Sequence, residues 1–150
     1  MGIHALPFST LKKTLKKPIS VHYPENPITL GDHIRRQRID RKLLQEDVAK
    51  AIGVSTDCIT NWENNRNTPQ IQFLPKIIEF LGYNPNHGDT STFGEKVKRY
   101  RECNGLSHKK LGKLLGVDGS TIGSWENGES KPRPKIKTIL ERFLQNGKAI

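Results

Sequence analysis

The chain contains one sequence twice. Shifted by 63 positions, Thr29–Tyr83 aligns with Thr92–Asn146 without a gap, and 15 of the 55 pairs are identical. The identities include Gly31 with Gly94, Arg38 with Arg101, Leu43 with Leu106, and Gly53-Val54 with Gly116-Val117. The strongest block pairs Trp62-Glu63-Asn64 with Trp125-Glu126-Asn127, followed at the same interval by Pro69 and Pro132. Many other pairs are conservative, such as Ile34 with Val97 and Ile52 with Leu115. A duplication of this length predicts two small domains of one fold rather than a single large core.

Four segments follow. Residues 1–28 are a basic tail in which Pro7, Pro18, Pro24 and Pro27 forbid a long helix. Residues 29–82 and 92–150 are the two domains. Residues 83–91, dense in turn residues, are a flexible linker.

Each repeat reads as short helices. Thr92-Phe93-Gly94-Glu95 fits a capping box, and Thr29-Leu30-Gly31-Asp32 is a looser version. A second helix, Gln45–Ile52, carries Val48, Ala49 and Ile52 on one face and ends at Gly53. Ser55 and Asp118 are suited to cap a third helix that buries Ile59 with Trp62, or Ile122 with Trp125. A fourth begins near Pro75, carries Ile77, Ile78 and Leu81, and stops at Gly82. Nothing alternates well enough to be a strand. The expected class is all-α.

Charge narrows the partners. Lys and Arg number 25 against 15 Asp and Glu, a net charge of +10. It is uneven: residues 1–28 hold four lysines and one acid, residues 29–90 eight of each sign, and residues 91–150 thirteen basic and six acidic side chains. Such a balance is the footprint of a polyanion, most often nucleic acid. No apolar run is long enough for a membrane span, and nothing reads as a signal peptide, so a cytoplasmic, nucleoid-associated protein is expected. Cys58 and Cys103 stand 45 positions apart without a C-x-x-C pair. His4, His22, His33, His87 and His108 show no ligand spacing, so no metal and no cofactor are expected. No catalytic set can be assembled, and the chain is not expected to be an enzyme.

The spacing inside the second and third helices is the most informative pattern. From Gln45, a small residue falls at the fifth position (Ala49), glycine at the ninth (Gly53), and apolar residues at the fifteenth (Ile59) and eighteenth (Trp62). From His108 the series is Gly112, Gly116, Ile122 and Trp125. Two short helices crossing steeply need a small side chain at the crossing, a tight turn, and two apolar pins on the second helix. With Leu43 ahead of it and Trp62-Glu63-Asn64 behind, the motif resembles that of the Xre/Cro-like, or lambda-repressor-like, helix-turn-helix transcriptional regulators. The resemblance covers about 110 of the 150 residues, in two copies.

The resemblance implies tandem domains of four to five helices whose third helix enters the major groove of double-stranded DNA. Base-edge contacts would come from Thr56, Asp57 and Asn61 in the first copy and from Gly119, Ser120 and Ser124 in the second, with Ser55, Thr60 and Asp118 as further DNA-binding positions. Phosphate contacts would come from Gln45 and from the loop after Trp-Glu-Asn, which holds Asn64, Asn65 and Arg66 in the first copy and Asn127, Gly128 and Lys131 in the second, with His108 as a further DNA-binding position. Amides and backbone N–H groups at helix starts suit phosphate oxygens, and Asn pairs bidentately with adenine. The resemblance also implies salt bridges from Arg38 to Glu63 and from Arg101 to Glu126.

The copies depart from the pattern differently. The first has Leu44 where Ser or Thr is usual, and Asp57 on its reading helix. The second has the cap, Ser107, but His108 for glutamine, and Gly119 and Gly123 in the reading helix, where glycine permits close approach to DNA. Neither helix carries an Arg or Lys to read guanine. A second reading stays open: an antitoxin-like or coactivator-like interaction module that holds DNA loosely and uses one repeat to meet itself or another protein.

Overall fold

The computed structural model describes residues 22–86 and 92–146. The tail lysines Lys12, Lys13, Lys16 and Lys17, the histidines His4 and His87, and residues 87–91 of the linker lie outside the described residues. Among the described residues every regular element is helical, which agrees with the all-α expectation. The first domain runs α1 (Leu30–Asp40), α2 (Gln45–Ile52), α3 (Thr56–Glu63), a 3-10 turn (Ile71–Phe73) and α4 (Leu74–Leu81). The second repeats this as α5 (Phe93–Cys103), α6 (His108–Leu115), α7 (Gly119–Glu126) and α8 (Pro134–Asn146).

Local chemistry sets the helix ends. The hydroxyls of Thr29 and Thr92 accept from the backbone N–H of Asp32 and Glu95, whose carboxylates accept in return from the threonine N–H groups. Both capping boxes are therefore complete, the looser one included. Leu44 has no capping side chain, so Asp47 reaches back instead and accepts from the Leu44 N–H at 2.8 Å. Gly53 and Gly116 end α2 and α6 in the left-handed conformation. Ser55 occupies the cap position of α3 without a capping bond; its hydroxyl donates to the Cys58 sulfur at 3.3 Å.

The apolar faces meet in two cores. Ile34, Val48, Ile52, Ile59, Trp62 and Ile77 build the first, and Val97, Leu111, Leu115, Ile122, Trp125 and Leu140 the second. Both tryptophans are core residues, 4% and 3% exposed, so neither is placed to stack on a base. Ala49 is buried where α2 meets α3. At the matching place a Cβ on Gly112 would stand 2.6 Å from the Val117 carbonyl oxygen. The α6–α7 approach is thus too close for alanine.

Two segment boundaries differ from the sequence expectation. Residues 22–28 are not simply tail: Pro24 is buried, the Tyr23 hydroxyl donates to Asp40 at 2.9 Å, and Arg36 donates to the Glu25 carbonyl oxygen at 3.1 Å. The described part of the linker is also held. The Tyr83 hydroxyl pairs with His33 Nδ1 at 2.8 Å, and the Asn84 amide reaches the Cys103 sulfur at 3.9 Å. Both tyrosines remain partly exposed, and each is tied to the first domain by its hydroxyl and by a ring contact, Tyr23 under Arg36 and Tyr83 edge-on to His33.

Candidate nucleic-acid interface

Each reading helix is anchored from below by an ion pair. Arg38 grips Glu63 through Nε and Nη2 at 2.6 and 2.8 Å, and its Nη1 donates to the Leu43 carbonyl oxygen at 3.3 Å. Arg101 repeats this on Glu126 at 2.6 and 2.9 Å, with Nη1 on the Leu106 carbonyl oxygen at 3.3 Å. One fork therefore ties three elements: the first helix, the turn after it, and the end of the reading helix. Both carboxylates are nearly buried. Burial pushes the Glu126 carboxyl up, but hydrogen bonds from Arg101 and His108, with the Arg101 charge, more than offset this and hold it below the usual carboxylate range.

The first residue of the second helix joins this brace in both copies. The Gln45 amide nitrogen donates to Glu63 at 2.9 Å, and the Gln45 oxygen accepts from the Thr60 hydroxyl at 3.0 Å. His108 takes the same place, with Nε2 3.1 Å from Glu126 Oε2. Because a carboxylate oxygen accepts, Nε2 carries the proton. Gln45, Thr60 and His108 are thus first of all braces of the reading helix. The eighteen-residue spacing from Gln45 to Glu63 recurs from His108 to Glu126, but only the helix crossing brings the side chains together.

The remaining candidates divide by exposure. Thr56 and Asp57 are exposed in the first turn of α3, and Asn61 is half-buried one turn later. In the second copy Ser120 is exposed and Ser124 half-buried. Asp118 caps α7, accepting from the Ser120 N–H at 2.8 Å and hydroxyl at 2.7 Å, bonds that lower its carboxyl. After the reading helices, Arg66 and Lys131 are exposed. The Asn64 amide donates to the Thr60 carbonyl oxygen at 2.8 Å, and that of Asn127 to Glu129 at 3.3 Å. Lys131 shares a groove with Asp118, Thr121 and Arg133, so the loop and the start of α7 form one surface.

Gly119 needs a corrected role. A Cβ there would lie 2.9 Å from Lys109 N, so glycine admits the backbone of α6, not DNA. Gly123, by contrast, faces open space. The same contact brings two basic residues to the reading helix that helix spacing alone does not mark. Lys109, exposed with Lys110, stands at the mouth of α7. Their repeat partners are Glu46 and Asp47. The first turn of the second helix is therefore acidic in one domain and basic in the other.

A helix-turn-helix family model matches the chain twice, over residues 34–87 and 97–146. The chain belongs to the Xre/lambda-repressor-like helix-turn-helix family. The two matches are in tandem and coincide with the two helical units. This is a family of DNA-binding regulators. No curated protein and no solved structure matches the chain. Among the described residues no helix is long and apolar enough to cross a membrane, and no group of His, Cys, Asp and Glu could hold a metal ion.

Proposed function

We propose that this protein is a transcriptional regulator of a bacterium or mobile element that lays both helix-turn-helix domains on one DNA duplex, with the second as its electrostatic anchor. One observation carries this reading. Lys109 and Lys110 are exposed in the first turn of α6, whose backbone lies against Gly119 at the start of α7, and Lys131 and Arg133 share a groove with Asp118, whereas the matching first turn of α2 holds Glu46 and Asp47 and that of α3 holds Asp57. Lysines at a helix mouth neutralise phosphates and release counterions, and each contact steepens the salt dependence by about one log unit per log unit of salt. The first domain would then add sequence preference through Thr56, Asp57 and Asn61 more than affinity. Asp57 suits a cytosine amino group and Asn61 an adenine.

The test is binding of the full chain to duplex DNA across a salt series. Replacing Lys109 and Lys110 by Ala is expected to flatten the slope by about 2. An unchanged slope would remove the anchor from the second domain. The acidic first turns of α2 and α3 favour a second reading, in which the first domain meets a protein. Selection of sites from random duplexes separates the two: a motif with two unlike halves supports DNA reading by both domains, and a single half supports the protein partner.

A further inference from the structure

The two domains make opposite use of one turn. In the first, the α1–α2 turn Asp40-Arg41-Lys42 is exposed, and Lys42 holds a left-handed φ of 55° despite its side chain. In the second, the matching residues are Cys103-Asn104-Gly105, all half-buried, and Gly105 has φ 62°. Three charged residues have become three small or neutral ones. What covers them is the first domain. A Cβ on Gly105 would lie 3.1 Å from Pro75 Cγ and 3.3 Å from both Pro75 Cδ and Gln72 Cα. The Asn84 amide reaches Cys103, and α4 packs on α5.

The other side of the contact shows the same asymmetry. Gln72 is uncharged where its counterpart Lys135 is charged, and Pro75 is half-buried where its counterpart Thr138 is exposed. The α4 face of the first domain thus meets the α5–α6 turn of the second head to tail. The two outward ends keep their charges, Asp40-Arg41-Lys42 at one and Lys135 at the other. Such contacts extend into chains unless the ends are made unfit, and these charged ends oppose a third unit.

We propose that Gly105 is the seat of a rigid joint with Pro75 and Gln72, and that this joint fixes the distance and angle between α3 and α7, so that half-site spacing becomes part of what the protein recognises. The inference rests on the reading of both domains as DNA-binding. Domains on a flexible tether tolerate many spacings, because effective concentration changes slowly with separation. A fixed joint does not. Moving one half-site by about 5 base pairs turns it half a helical turn away and puts its groove on the opposite face. Glycine suits this seat twice over: its left-handed φ costs it nothing, and a Cβ would press on Pro75 at 3.1 Å so that the ring would have to give by a few tenths of an ångström, whereas Lys42 shows that the same turn carries a side chain where nothing packs on it.

The experiment uses the full chain, its Gly105→Lys variant, which restores the first domain's own turn, and Gln72→Lys, which charges the joint from the other side. Backbone 15N relaxation is read first. The expected result is one rotational correlation time for both domains in the unaltered protein, and two separate times in Gly105→Lys, with Gln72→Lys moving the same way. Separate times in the unaltered chain would overturn the joint, as would a single time that survives Gly105→Lys. Site selection with a variable spacer is read second. The unaltered chain is expected to disfavour a spacing shifted by about 5 base pairs by roughly tenfold, and Gly105→Lys to lose that preference while keeping both half-site motifs. A flat spacing profile for the unaltered chain with both motifs present would overturn the role in recognition. Joined tumbling without any selected motif would leave the joint standing and bring down the DNA reading instead.

Discussion

Arg101 holds both carboxylate oxygens of Glu126, at 2.6 and 2.9 Å, from a position 25 residues earlier in the chain. The fork fixes where α7 ends relative to α5, and so where its first turn points. Removing one partner of a nearly buried pair leaves the other charge without compensation, which typically costs about 3–5 kcal/mol. Glu126→Gln is therefore expected to destabilise the second domain by about 3 kcal/mol in urea unfolding. Replacing Arg101 and Glu126 together by leucine is expected to recover most of that loss. A single variant as stable as the parent would show that the pair is not buried in solution.

The two domains are expected to respond differently to acid. Burial pushes the His33 imidazole down, against a smaller opposite pull from Asp32, and its Nδ1 faces the Tyr83 hydroxyl. A folded-state value below the unfolded one means stability that is complete above the ordinary histidine value, about 6.5, and is lost as pH falls below it. Glu126 is also lowered, so its contribution is present above the ordinary carboxylate value, about 4.3, and fades only in more acid solution. Unfolding monitored by histidine and tryptophan NMR signals is expected to show the first domain weakening below about pH 6.5. His33→Gln should flatten that part of the profile. A first domain with constant stability between pH 7 and 5 would contradict the burial of His33.

The helix crossings differ by one methyl group. Gly112→Ala would place a carbon 2.6 Å from the Val117 carbonyl oxygen, so the α6–α7 turn would have to open. Overpacking of this kind costs about 1–3 kcal/mol, well above what alanine returns in helix propensity. Ala49→Gly in the first domain has the opposite origin and is expected to cost about 1 kcal/mol through propensity. Thermal melts of the two variants check both, and a stabilised Gly112→Ala would overturn the close-approach argument.

The helices, the caps at Thr29, Thr92 and Asp118, and both cores were legible in the sequence because the signals are local, whereas Ser55 turned to Cys58 instead of capping α3. Thr92 and Glu95 announce a helix start within four residues, and Ile59 with Trp62 repeat at helical spacing. The ion pairs were legible through the repeat, since Arg38 and Arg101 recur with Glu63 and Glu126. The bracing by Gln45 and His108 was not, because their distance to the carboxylate depends on a crossing angle that no local pattern encodes. Docking of Tyr23 on Asp40 was equally hidden: a single aromatic 17 residues before its partner has no periodicity to betray it. Gly119 misled for a related reason. Glycine at a helix start fits approach by DNA and approach by another helix equally well, and only the position of Lys109 decides between them.

Reading and packing can be separated inside α3. Asn61 is half-buried at the second turn, while Trp62 beside it is 4% exposed in the core. Asn61→Ala is expected to relax preference at one or two base pairs by about 1–3 kcal/mol with little change in melting temperature. Trp62→Ala is expected to destabilise the first domain by about 3–5 kcal/mol. If the selected motif survives Asn61→Ala unchanged, the first domain is not reading bases there and the protein-partner reading gains ground.

The last prediction concerns stoichiometry. Helix-turn-helix dimers present two reading helices to successive major grooves about 34 Å apart. This chain already carries two such helices, α3 and α7, in one molecule. Their sequences differ at each candidate reading position: Thr56, Asp57 and Asn61 in one, Gly119, Ser120 and Ser124 in the other. A single chain is therefore expected to protect about two helical turns with two unlike half-sites. A dimer, by contrast, would need a palindrome to match its two-fold axis. Hydroxyl-radical footprinting together with native mass spectrometry on the same duplex measures both quantities. One protein per site with two protected grooves is the expected result. Two proteins on a symmetric site would mean that each chain reads with one domain and keeps the other for its twin, and the tandem arrangement would then serve pairing rather than reading.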